Sequence, residues 1–182
     1  MMTRASDLIA KLDACPIGSS GWKEFEDVCI EILTHLFVPP LSTPKIQPRT
    51  LSGVQRRDAV FPNRNISDTS NNWGRLYKEL DARMVLFEFK NYDSSEIGKE
   101  EVDQARSYMR EHTGRLAIIV CNKEPHASAY RERLTIFNAK GKEVILFVTI
   151  DHLKEMLHMK ERGEDPSDLI YDLLEWMYLQ QE

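Results

Sequence analysis

The chain has 182 residues, 42% of them hydrophobic and 29% charged, with a formal net charge of −5. That length buries a core without disulfides or a structural metal, so a single domain over residues 1–182 is expected, and the negative balance argues against a protein that coats nucleic acid by bulk electrostatics. Cys15, Cys29 and Cys121 are odd in number and form no CxxC pair, which speaks against a disulfide framework or a zinc ribbon and for a reducing compartment.

The N-terminus lacks a basic segment followed by an apolar one, and no apolar run approaches the roughly 20 residues that span a bilayer, so a cytoplasmic protein without membrane attachment is expected. A short helix is predicted over Ser6–Ala14 and a second over Gly21–Phe37, with Ser20 as its N-cap. The second carries Trp22, Phe25, Cys29, Ile32, Leu33 and Leu36 at helical spacing. Pro39, Pro40, Pro44, Pro48 and the polar stretch Pro62–Gly74 read as loops. The segment Asn63–Tyr77 is long enough to be a substrate-facing insertion, with disorder or simple packing as equal alternatives.

Strands are predicted at Val54–Phe61, Met84–Phe89, Leu116–Cys121 and Val144–Ile150. Helices over Lys99–His112 and Ser128–Ala139 separate the last three, and the final two strands are continuous apolar runs, the pattern of parallel neighbours buried on both faces. The result is an α/β fold in the order helix, strand, strand, helix, strand, helix, strand over about residues 21–150. Two more helices, Asp151–Arg162 and Pro166–Gln180, form an extension; the latter shows Leu169, Ile170, Leu173, Trp176 and Met177 on one face, read as core or dimer surface.

Charge interrupts a buried run at Met84-Val-Leu-Phe-Glu-Phe-Lys90. Side chains two apart on a strand share a face, so Glu88 and Lys90 project together while Phe87 and Phe89 pack on the other side. Such a pair is costly to bury unless it binds something or forms a structural ion pair. Asp58 lies on the preceding strand, and two carboxylates brought to one point repel unless a hard cation such as Mg²⁺ sits between them. Lys90 is the only lysine with an acidic residue two positions before it.

Asp58 followed by Glu88-Phe-Lys90 resembles the PD-(D/E)xK superfamily of restriction-endonuclease-like nucleases, over roughly Gly21 to Cys121. The chain departs from that pattern in having Arg57 where the nominal proline precedes the aspartate. On the second helix Glu26 falls inside the apolar arc, whereas Glu24, Asp27 and Glu31 fall opposite. Phe25-Glu26 resembles the Phe-Glu element of the Mrr-like branch, where the glutamate reaches toward the metal; a glutamate extending from the stripe's edge to water is the alternative. Gln104 and Tyr108 are four apart, share a helix face and look like the QxxxY motif of RecB-like nucleases, which lies beside the active site.

The resemblance implies a central mixed β-sheet flanked by helices and Mg²⁺-dependent hydrolysis of DNA, with Mn²⁺ as a substitute. Asp58, Glu88 and the Phe89 backbone carbonyl would be metal ligands, and Glu26 an accessory ligand or water-holding carboxylate. Lys90 would act on the attacking water, with Gln104 and Tyr108 supporting the site or the scissile strand. It also implies a homodimer and a restriction or defence setting, with repair or recombination second. Specificity would come from loops, a partner subunit or an activator, since no helix-turn-helix or zinc finger is recognisable. The rivals are a non-catalytic nucleic-acid or protein-binding module of the same fold, and a nuclease acting on RNA or branched DNA.

Two basic stretches offer a local groove, Lys45, Arg49, Arg56, Arg57 and Arg64 in the first half and Arg106, Arg110, Arg115, Lys123, Arg131 and Arg133 in the second, with a solvated surface as the equal alternative. His35, His112, His126, His152 and His158 form no HxxxH pair and read as ordinary surface or core residues.

Overall fold

The computed structural model describes residues 3–48 and 57–181. Seven helices and one five-stranded sheet are found among them, in the order α1 (Arg4–Ala14), α2 (Trp22–Phe37), β1 (Lys45–Ile46), β2 (Ala59–Pro62), α3 (Asn72–Leu80), β3 (Met84–Lys90), α4 (Lys99–Tyr108), β4 (Leu116–Cys121), α5 (Ala127–Asn138), β5 (Val144–Thr149), α6 (Ile150–Glu161) and α7 (Ser167–Leu179). The chain is an α/β protein with a mixed sheet. Its strands lie in sequence order, β1-β2-β3-β4-β5, antiparallel at β1–β2 and β2–β3 and parallel at β3–β4 and β4–β5.

Every residue of β4 and β5 is buried, as expected of strands covered on both faces. One face of the sheet, carrying Phe61, Val85, Phe87, Ile118, Val120 and Leu146, packs in one apolar cluster with residues of α1, α2, α3, α6 and α7. The other face, carrying Val60, Leu86, Ala117, Ile119, Ile145 and Phe147, meets α4 and α5 through Val102, Ala105, Tyr108, Ala129 and Ile136. Alternation along β3 therefore sends Glu88 and Lys90 to the α4 side, and partly buried Phe89 to the opposite cluster.

Several expectations need correction. The cap of α2 is Gly21, not Ser20: a Cβ there would sit 1.8 Å from the Pro16 carbonyl oxygen, so the close approach requires glycine. Of the strand expected at Val54–Phe61, residues 54–56 lie outside the described residues, and pairing starts at Ala59. The short β1, between Pro44 and Pro48, was not foreseen, because two residues carry no periodicity. Helix α4 stops at Tyr108, short of His112, where residues 110–114 form a turn closed by Thr113 N–H and Gly114 N–H donating to the Arg110 carbonyl.

Of the segment Asn63–Tyr77, residues 63–71 are loop as expected, but from Asn72 onward it belongs to α3, a packed helix that was not expected between the first two predicted strands. Asn71 caps α3 by accepting from Gly74 N–H, Trp73, Leu76 and Leu80 are buried, and the Asn72 amide donates to Ser167 Oγ (3.1 Å) and Asp168 Oδ1 (2.7 Å) at the start of α7. On α7 itself Ile170, Leu174 and Met177 are buried, whereas Trp176, expected on the same face, is 64% exposed. Arg133 is buried under Tyr130 and Phe147, with its guanidinium donating to Gln180 Oε1, so it lines no groove. No helix among the described residues is long and apolar enough to cross a membrane.

Trp73 holds α3 to the core, its ring meeting Phe37 edge-on at a centroid distance of 4.9 Å. Removing an indole from such a site leaves a cavity, so Trp73→Ala is expected to lower unfolding free energy by about 3–5 kcal/mol. Urea titration followed by circular dichroism measures this; a loss of less than about 1 kcal/mol would mean that α3 is not part of the cooperative core.

Candidate active site

The register of β2 against β3 decides where Asp58 sits. Ala59 is opposite Phe87 in an antiparallel pair, so the residue before Ala59 falls beside the residue after Phe87, which is Glu88. Asp58 occupies the bend leading into β2, and its Oδ2 accepts from the Phe89 backbone N–H at 2.9 Å. That bond fixes the carboxylate against the end of β3. Asp58, Glu88, Phe89, Lys90, Glu26, Gln104 and Tyr108 all line one cavity of about 250 Å³, together with Trp22 and Asn91. The structure thus brings every sequence-selected site residue to one place.

Glu88 is 3% exposed, and its Oε1 has no hydrogen-bond partner among the described residues. Burial, then the negative charge of Asp58, pushes its carboxyl up to about 8, against the opposing pull of Lys90. A buried oxygen with nothing to accept is expensive to maintain.

Lys90 donates from Nζ to Gln104 Oε1 at 2.6 Å, and Gln104 Nε2 donates to the Tyr108 hydroxyl at 3.0 Å. The i, i+4 pair on α4 therefore works as a single bracket for the lysine. Burial and Glu88 raise the Tyr108 hydroxyl above the ordinary tyrosine range, which keeps it neutral. Glu26 is 2% exposed, and its Oε1 accepts from Gln47 Nε2 (2.9 Å) and Lys23 Nζ (3.3 Å). It is a buried carboxylate on the cavity wall, not one that extends from the stripe's edge into bulk water.

The residues present fit a hard cation in chemistry: an unpartnered buried carboxylate oxygen faces a second carboxylate, and oxygen donors suit Mg²⁺. Among the described residues no three acidic, imidazole or thiol side chains form a cluster able to hold a metal. Asp58 and Glu88 would accordingly need backbone carbonyl and water to complete a coordination shell, as Mg²⁺ commonly does. Glu26 then suits the water-holding part of its expected role better than direct ligation.

Sequence reasoning missed four neighbours of the site. Trp22, expected in the apolar stripe, is 46% exposed at the cavity mouth. Gln47, with a left-handed φ of 48°, reaches Glu26 from beyond β1, and no pattern announces it. Asn91 donates to the Pro16 (2.8 Å) and Gly18 (3.3 Å) carbonyls, tying the segment before α2 to the end of β3. Arg57 donates to the Tyr108 carbonyl at 3.0 Å, and burial lowers its pKa.

Of the expected basic groove, Lys45, Arg57 and Arg64 line a neighbouring cavity of about 520 Å³ with Arg83, which was not anticipated. Arg49 and Arg56 lie outside the described residues. In the second stretch Arg106 pairs with Glu143 at 3.3 Å, Arg115 donates to the Glu79 carbonyl at 2.7 Å and Lys123 donates to the Asp93 carbonyl at 2.8 Å, so these are engaged elsewhere.

No protein-family model matches the chain, and no solved structure matches it. It is 35% identical over 113 residues, 62% of its length, to the "Putative transposon gamma-delta 80.3 kDa protein" of Escherichia coli (strain K12). The match spans 15% of that relative.

The raised Glu88 carboxyl makes stability depend on pH. Between the ordinary value of 4.5 and the folded value of about 8 the folded state holds a proton that the unfolded chain has released, so stability falls as pH rises through that window. Glu88→Gln removes the penalty: in EDTA it is expected to raise the melting temperature above wild type at pH 8.5, with the gain shrinking toward zero at pH 4.5. Equal melting temperatures at both pH values would show that Glu88 is not strained.

Proposed function

We propose that this chain is a Mg²⁺-dependent nuclease with a restriction-endonuclease-like core, hydrolysing DNA phosphodiester bonds. The observation that carries the reading is the unpartnered Oε1 of Glu88, buried beside Asp58 with Lys90 projecting from the same strand face. An unrelated structural ion pair would leave no such orphan, because the lysine would satisfy it; here Lys90 is bonded instead to Gln104.

Asp58 and Glu88 would hold the cation, with the Phe89 carbonyl as a backbone donor. Mg²⁺, or Mn²⁺ in its place, supplies polarisation of the phosphoryl oxygen and a more acidic bound water. Lys90, aimed by Gln104 and Tyr108, orients the attacking water and offsets the negative charge that grows on the phosphoryl group. Glu26 holds that water from the α2 side. Arg57, next to Asp58 in the chain, offers a cation to a phosphate entering from the neighbouring basic cavity.

The relative's name refers to a transposon, which is a DNA element, and we take DNA as the substrate on that ground; a defence setting rests on the resemblance alone. Cutting both strands would call for a homodimer, and target choice for a partner subunit or activator, as the resemblance implies. With Cys15, Cys29 and Cys121 all free, we take the compartment to be the cytoplasm.

Nicking of supercoiled plasmid and cleavage of linear duplex in Mg²⁺, Mn²⁺ or EDTA test the proposal. Asp58→Ala and Lys90→Ala are each expected to lose at least about 100-fold in rate, and Gln104→Ala, which only brackets the lysine, about 10-fold. Cleavage that survives EDTA, or that Asp58→Ala leaves unchanged, would refute the metal site. Intact DNA with every metal would favour a binding module.

A further inference from the structure

Beside the site lies a second and larger cavity, of about 690 Å³, between residues 17–22 and residues 89–95. It shares Trp22, Phe89, Lys90 and Asn91 with the site cavity, so the two adjoin at the end of β3. Trp22, 46% exposed, stands on the common wall, and Ile17, 64% exposed, lines the same cavity. Two such side chains on one concave wall, next to a polar site, form an apolar surface able to receive an apolar group.

The wall is built rather than loose. Asn91, itself buried, holds the Pro16 and Gly18 carbonyls, and Gly18 takes a left-handed φ of 87°, which other residues adopt only under strain, while a Cβ there would press on Asp93 Cβ at 3.2 Å. The Gly21 contact with Pro16 fixes the entry into α2 and hence the first helical residue, Trp22. The backbone that carries the indole is thus fixed before any base arrives, which lowers the cost of ordering the ring on binding.

We propose that this cavity receives an unpaired nucleobase next to the scissile phosphate, stacked on Trp22, and that the protein therefore prefers single-stranded or frayed DNA. The inference rests on the nuclease reading for what sits in the neighbouring site. Lys90 and Asp93 are the charged side chains among the lining residues, a near-neutral balance that suits a base rather than a second phosphate. The exposed Ser19 and Ser20 provide hydroxyls for base edges. The volume falls in the range of ligand cavities, roughly 300–1,000 Å³. A base inside a duplex would first have to leave its stack, at a cost of a few kcal/mol that an unpaired strand does not meet.

Binding of a short labelled single strand, measured by fluorescence anisotropy with Ca²⁺ replacing Mg²⁺, tests this without cleavage. Trp22→Ala is expected to weaken binding by about 10–100-fold, Trp22→Phe to keep most of it, and wild type to bind blunt duplex more weakly than single strand. An abasic nucleotide moved along the strand is expected to weaken wild type at one position by a similar factor, and to add nothing there to Trp22→Ala. Losses that multiply instead of coinciding, equal affinities of wild type and Trp22→Ala, or no binding to any strand would each overturn the base site. Cleavage that Asp58→Ala abolishes, alongside independent Trp22 and abasic losses, would leave the nuclease and remove the base site. Coincident losses in a protein that never cleaves would do the reverse.

Discussion

A carboxylate oxygen that is buried without a hydrogen-bond partner is among the least comfortable atoms a fold can carry, and Glu88 Oε1 is one, on a side chain beside a second carboxylate. The sheet makes the encounter unavoidable. β3 has an antiparallel neighbour on one side and a parallel neighbour on the other, so β2 delivers Asp58 to the end of β3 at which the parallel strands finish. The N–H of Phe89 then locks the aspartate in place. No relaxation along the strand relieves the repulsion, because slipping the register by one residue would turn Phe87 and Phe89 out of their apolar cluster. The strain is thus maintained by the core, which is how folds keep functional groups in unfavourable positions.

Around that point three elements are pinned by side-chain bonds rather than by packing alone. α4 is tied through Lys90 to Gln104 and through Arg57 to the Tyr108 carbonyl; the segment before α2 is tied through Asn91; and Gln47 beyond β1 is tied to Glu26. Each bond ends on, or next to, a residue that lines the site cavity. Polar groups that face a cavity from several elements hold a geometry only if each is oriented by a neighbour, and here the neighbours are present.

Much of this was legible because it rests on short-range periodicity. Alternation along Met84–Lys90 placed Glu88 and Lys90 on one face, the helical wheel placed Glu26 inside the apolar arc, and spacing of four placed Gln104 with Tyr108. What failed depended on tertiary approach. Gly74 reads as a helix breaker, yet it lies inside α3 because the Asp68 carbonyl comes to 1.6 Å of where a Cβ would be. Trp22 continues the apolar period of α2 but belongs to its first turn, beside the cavity mouth and outside the core. Arg133 reads as surface charge, whereas two aromatic rings cover it. In each case the pattern is local and the outcome is set by a neighbour distant in sequence.

The net charge of −5 is a statement about the whole surface and a poor guide to the face that matters. Lys45, Arg57, Arg64 and Arg83 gather around one cavity whose floor is the apolar Val60, Met84 and Leu86, on the same side of the sheet as Glu88. Arg83 is partly neutralised by Asp81 at 3.1 Å. Arg57 belongs to both environments, since it lines this cavity while its guanidinium is bonded to the carbonyl of a site residue. A guanidinium in that position does two things at once: it anchors the approach to Asp58 onto α4, and it sets a positive charge near the Asp58–Glu88 pair.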